Sequence, residues 1–118
     1  MQDLRKRTKD FALQVVRAHT SLPRKIDALE LGRQFLRSGT SVGAHYREAC
    51  RAKSDADFIS KIEGALQELD ETSYWIEMLR DLGHIPDEKA TGLGDECDEL
   101  MAIFVTMTRN VKCRDGKG

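Results

Sequence analysis

Three histidines, three cysteines and one short run of small residues are the parts of this 118-residue chain whose types could do chemistry. A two-metal carboxylate centre in a helical bundle takes a Glu-x-x-His pair from each of two helices and two further glutamates. None of His19, His45 or His84 follows a glutamate by three residues. His45 and Glu48 have that spacing in reverse order, and no second copy exists. Asp95, Asp98 and Glu99 cluster as acids on a solvated helix face do. No metal and no cofactor is expected. A nucleophilic cysteine needs a depressed pKa and a base beside it. Cys50 and Cys97 lie on apolar stripes, where packing accounts for them, and Cys113 stands between Lys112 and Arg114 with no site around it. Residues 38–44, Ser-Gly-Thr-Ser-Val-Gly-Ala, lack the glycine-lysine signature of a phosphate loop. They suit a place where another helix approaches closely. Enzymatic activity is not expected.

Charge is the more informative pattern. Net charge is −1, but residues 1–25 hold seven cations against two acids, while residues 54–83 hold eight acids against two cations. Within the first segment Arg5, Lys6, Lys9, Arg17, Arg24 and Lys25 form the candidate phosphate-binding surface, because no acidic stripe lies near them in sequence. A second set lies on two later helices. Arg33, Arg37, Arg47 and Arg51 project from one side of the second, and Glu63, Asp70, Glu77 and Asp81 from one side of the third. In a hairpin turning near Ser54, Arg47 levels with Glu63 and Arg33 with Glu77. Two readings stay open here: ion pairs within or between subunits, or arginines that face nucleic-acid phosphates. Isolated surface pairs add little stability, so pairing would set register and partner choice.

These residues need four helices to position them. Leu4, Thr8, Phe11, Val15, Ala18 and Leu22 step by three and four, which makes one helical stripe that stops near Pro23. A second helix is expected over residues 26–53, with Phe35, Leu36, Gly39, Val42, Tyr46, Ala49 and Cys50 on one face. A third starts at a Ser54 or Asp55 cap and ends at Gly83. Its stripe is Ile59, Ile62, Leu66, Leu69, Thr72, Ile76 and Leu79, and Trp75, Met78 and Leu82 lie beside it. A helix apolar on two sides is buried on two sides, so Trp75, Met78 and Leu82 are the candidate oligomer interface. The fourth follows Pro86 and carries Leu93, Cys97, Leu100, Phe104, Met107 and Val111. Residues 1–111 are thus expected as one bundle, and 112–118 as a flexible tail.

The fold class is all-α, an antiparallel up-down-up-down four-helix bundle. The apolar fraction of 40% and charged fraction of 33% suit a folded, soluble chain. Three widely spaced cysteines without a C-x-x-C fit a reducing cytoplasm. No stretch approaches a membrane span, and no membrane partner is expected.

Three runs then meet a known pattern: Leu4-Arg5-Lys6-Arg7-Thr8-Lys9-Asp10-Phe11-Ala12, residues 36–49 from Leu36-Arg37-Ser38-Gly39 to Arg47-Glu48-Ala49, and residues 66–79 from Leu66-Gln67-Glu68-Leu69 to Glu77-Met78-Leu79, with Ser54 and Asp57-Phe58-Ile59 between the last two. Together they resemble the four-helix bundle family encoded by intervening sequences of bacterial 23S ribosomal RNA genes. The resemblance spans nearly the whole chain. It implies a homopentamer and no catalytic residues. The chain is similar, too, to the accessory variability proteins of diversity-generating retroelements, basic pentamers that bind nucleic acid and a reverse transcriptase. The net charge of −1 supports only a local basic patch here. The expectation is a non-enzymatic, cytoplasmic homo-oligomer with RNA or DNA as candidate ligand of its first helix. The alternative is a protein-binding scaffold, such as an accessory subunit of a polymerase or reverse transcriptase, that touches no nucleic acid.

Overall fold

The computed structural model describes residues 3–116. Four helices account for nearly all of them: α1 (Leu4–Thr20), α2 (Ile26–Cys50), α3 (Asp55–Asp81) and α4 (Asp87–Gly116). No strand occurs among the described residues. The body measures 51 × 22 × 21 Å, about the length of a 27-residue helix at 1.5 Å per residue plus its links.

Local chemistry sets the helix ends. The Asp3 carboxylate accepts the Lys6 N–H at 3.1 Å, and the Ser54 hydroxyl accepts the Asp57 N–H at 3.0 Å. Each satisfies a backbone donor that the first turn leaves without a partner. The end of α3 is closed by Gly83, whose φ of +79° suits a residue without a Cβ. From there the Gly83 N–H reaches the Arg80 carbonyl at 2.9 Å and the His84 N–H reaches that of Leu79 at 2.8 Å. That pair of bonds is the Schellman stop. At the other end of the molecule α4 outruns its expected limit. Residues 112–116, expected as a flexible tail, are helical. Lys112, one residue past the last apolar position Val111, bonds Glu63 of α3 at 3.2 Å. Residues 117 and 118 of that expected tail lie outside the described residues.

α2 packs on α1 and on α3, α4 packs on α3, and α1 meets α4 more loosely. The core holds the predicted stripes, with Phe11, Val15, Phe35, Val42, Ile62, Leu69, Leu79, Leu100 and Phe104 fully buried. Small residues let α1 and α2 approach. A Cβ built on Gly39 would stand 2.7 Å from a Val15 methyl, and one on Gly43 would stand 3.1 Å from the Thr8 hydroxyl. Between α2 and α3 the register is marked by Thr72 Oγ1, 2.8 Å from Ser38 Oγ with both residues buried. The same count levels residue 47 with 63 and residue 33 with 77.

Candidate nucleic-acid interface

The first helix separates its cations by flank. Leu4, Thr8, Phe11, Val15 and Ala18 are buried, so Arg7 projects toward α4, and Arg5 and Lys9 project on the side toward α2. Arg7 is held on that side. Its Nε and one terminal nitrogen each donate to Glu96 at 2.8 Å, and the guanidinium reaches Glu99 at 2.8 Å as well. The two carboxylates push the Arg7 pKa above its ordinary value. Arg7 is a staple between α1 and α4 and is spent on structure. Glu99, expected with Asp95 and Asp98 on a solvated face, and Glu96 beside it are brought to the first helix by the bundle.

Of the candidate phosphate-binding residues, Lys6 pairs with Asp10 at 2.8 Å. Arg5, Lys9, Arg17, Arg24 and Lys25 are all exposed and form no ion pair among the described residues. They do not make one patch. Arg5, Lys9, Ala12 and Val16 step by four, three and four along one flank of α1. Arg17 lies one residue past that stripe, turned away by about 100°. Arg24 and Lys25 sit in the link before α2, at the far end of the bundle from Arg5.

The arginine and acid sets of α2 and α3 depart from the expected pairing. Arg47 and Glu63 are level, but Glu63 turns to Lys112 of α4. Arg37 alone of the four arginines is paired, and its partners are Glu71 at 2.8 Å and Glu68 at 3.5 Å. Arg33, Arg47 and Arg51 form no ion pair among the described residues, and neither do Asp70 and Glu77. Among the described residues Asp81 meets only its neighbour Arg80, at 3.1 Å. Rotation about the helix axes is the cause. Glu68 and Glu71 lie on the α2 side of α3, with the buried Thr72 between the helices. Glu63, Asp70 and Glu77 turn toward α4 and solvent.

The unpaired arginines belong to a stripe of their own. Leu29, Arg33, Leu36, Thr40, Ala44, Arg47 and Arg51 follow one another by three or four residues along the α1 side of α2. Between this stripe and that of α1 runs a shallow groove of about 280 Å³, lined by Thr8, Lys9, Ala12, Thr40, Gly43, Ala44 and Arg47. Metabolite pockets run to roughly 300–1,000 Å³ and enclose their ligand, so a small shallow groove of this kind suits a surface contact.

Elsewhere the chemistry is quiet. Cys97 is buried, and burial pushes its thiol up to about 12, so it is a packed thiol and not a nucleophile. Cys50, expected in the core, is exposed at the last turn of α2, one residue past the buried Ala49. It stands beside the Tyr46 hydroxyl, whose pKa is raised to about 12 by burial first and by Cys50 second. His45 fits against Gly64 of α3, where a Cβ would stand 2.9 Å from its ring. No group of three or more metal-ligating side chains occurs among the described residues. No helix of the described residues is long and apolar enough to cross a membrane. In the candidate oligomer interface Trp75 is half-buried against the core, Met78 is half-buried and Leu82 is 50% exposed.

The 23S rRNA-intervening sequence protein family matches over residues 2–106. A crystal structure of a protein of unknown function from the S23 ribosomal protein family of Bacteroides thetaiotaomicron is similar at 34% identity. The match covers 88% of this chain and 96% of that one, with a TM-score of 0.83. No curated protein matches.

Proposed function

The chain belongs to the 23S rRNA-intervening sequence protein family, and we propose that it is a non-enzymatic bundle protein of the cytoplasm that binds RNA or DNA through its basic first helix and works as a homo-oligomer. The observation that carries the ligand is the exposure of Arg5 and Lys9 without an acidic partner among the described residues. Unpaired surface cations can neutralise phosphates and release the counterions condensed on a nucleic acid. An antiparallel up-down-up-down course is supported by the contacts of α2 in reversed residue order: Gly39 near Val15 and Gly43 near Thr8 on α1, Ser38 near Thr72 and His45 near Gly64 on α3. Titrating a labelled ribosomal RNA fragment at several salt concentrations tests the reading. The variant Arg5→Glu/Lys9→Glu is expected to weaken binding and flatten the salt dependence. Unchanged affinity and slope would remove this surface from the proposal.

A second reading, docking of protein, has its own support. Ile26 is 83% exposed and Leu29, Tyr74 and Leu82 each about half exposed, apolar side chains available to a partner surface. On this reading the occupant is another copy of the chain, five to a ring, or an accessory partner such as a polymerase. Sedimentation over a range of protein concentrations separates the first from a monomer.

A further inference from the structure

We infer that Arg47 of α2 with Arg51 at its C-cap, and Arg5 and Lys9 of α1, are two facing rails of one groove, and that the groove takes the sugar-phosphate backbone of a nucleic-acid duplex. The inference rests on the nucleic-acid reading above and adds to it a second helix and a ligand form. Lys9 and Arg47 line the same groove directly. Arg51, four residues after Arg47, is the C-cap just past Cys50, and Arg5 stands one turn before Lys9 in α1, an i, i+4 pair. Such a pair rises about 6 Å, comparable to the step between neighbouring phosphates of one strand. All four side chains are exposed and without an ion pair among the described residues. Neither stripe carries an acid that would compete for them.

The floor between the rails is made of small residues, Ala12, Thr40, Gly43 and Ala44. A phosphate can therefore approach helix backbone without meeting a long side chain. Neither stripe carries an aromatic residue. Proteins that hold single strands stack bases on aromatic side chains, and this groove has no such platform. Tyr46 is on the same helix, but its ring stacks on Phe104 at 5.8 Å, on the core side. The surface thus meets the backbone and leaves the bases paired.

The test compares the full chain with Arg47→Ala/Arg51→Ala, Arg47→Lys/Arg51→Lys and Arg5→Ala/Lys9→Ala. Each is titrated with a short duplex RNA, a duplex DNA of the same sequence and a single strand of either, at several salt concentrations. Thermal unfolding confirms that each variant is folded. The alanine change in α2 is expected to lower duplex affinity roughly 10- to 100-fold near 0.1 M salt and to reduce the log–log salt slope by about two. The lysine change is expected to keep the slope. Duplex RNA and duplex DNA binding within an order of magnitude of each other marks recognition of shared backbone, and a preference for one duplex over the other names the source. Tighter binding of single strands than of either duplex overturns the inference. So does an α2 alanine variant that binds as wild type while the Arg5 and Lys9 variant is weakened, although the α1 reading then survives. If wild type binds none of the four, both fall. If the α2 variant changes the sedimentation of the free protein, its arginines contact a second copy of the chain, and the groove is not a nucleic-acid surface.

Discussion

Two glycines of this chain are expected to answer the same substitution with opposite signs. Gly39 lies where α2 touches α1, and an added Cβ would stand 2.7 and 2.8 Å from the two methyls of Val15. Val15 is fully buried and β-branched, so it has little room and few rotamers to yield. Overpacking of this kind costs about 1–3 kcal/mol. The helix propensity gained by alanine, about 1 kcal/mol, offsets only part of that. Gly39→Ala is therefore expected to lower the denaturant midpoint. Gly92 is exposed in the second turn of α4, with nothing within 4 Å of its Cβ position. Gly92→Ala is expected to raise the midpoint by about 0.5–1 kcal/mol of stability. Equal effects at the two positions would mean that α1 does not press on α2 at Gly39.

At the scale of elements, α1 meets α4 loosely, and Arg7 ties the two. Arg7 and Glu96 are each only 22% exposed, and their bond is bidentate. Truncation in Arg7→Ala leaves a half-buried carboxylate without its partner and is expected to cost about 1–3 kcal/mol in chemical denaturation. Arg7→Lys should recover only part of it, because an ammonium cannot span two carboxylate oxygens in the same way. If Lys restores full stability, the fork geometry is irrelevant. A second tie joins the start of α2 to the turn before α4: His84 Nε2 lies 2.7 Å from the Asp27 carboxylate, which it holds below the usual carboxylate range. Because the folded pKa is depressed, the stabilisation is fully present above the unfolded value near 3.8 and is lost as pH falls through the lowered one. Asp27→Asn is expected to remove that part of the acid dependence, read from unfolding midpoints between neutral and strongly acid pH. These ties also mark the limit of what the sequence makes legible. Stripes such as Phe11, Val15 and Ala18 show through their period, and Ser54 and Gly83 show through their cap chemistry. Arg7 with Glu96 does not, because the partners are 89 residues apart and only the docking of α1 beside α4 brings them together. The same holds for Arg37. Register levels Arg47 with Glu63, but a rotation of α3 about its axis decides that Glu68 and Glu71, not Glu63 and Asp70, face α2. Past Val111 the glycines and charges read as a tail, and nothing local shows that Lys112 reaches Glu63.

For the whole molecule, the question is how exposed apolar residues on a slender bundle are covered. Ile26 and Leu29 stand at the start of α2, while Tyr74 stands on α3 and Leu82 is its C-cap. The proposed ring assigns one pair to each of two contact faces. A closed ring of identical subunits uses two different faces at every contact, whereas a two-fold dimer uses one face twice. The proposed pentamer therefore makes a prediction that a dimer does not. Ile26→Glu/Leu29→Glu spoils one face, and Tyr74→Glu/Leu82→Glu spoils the other. Trp75 is left alone because it packs on the core and its change would confuse folding with assembly. Each variant alone is expected to sediment as a monomer. Mixed in equal amounts, they are expected to form a heterodimer and stop there, because each supplies one intact face and the pair has no further complementary surface to extend from. If one variant still assembles as wild type does, its face is not in the contact. If both dissociate and mixing rescues nothing, the contact is isologous and the ring is wrong.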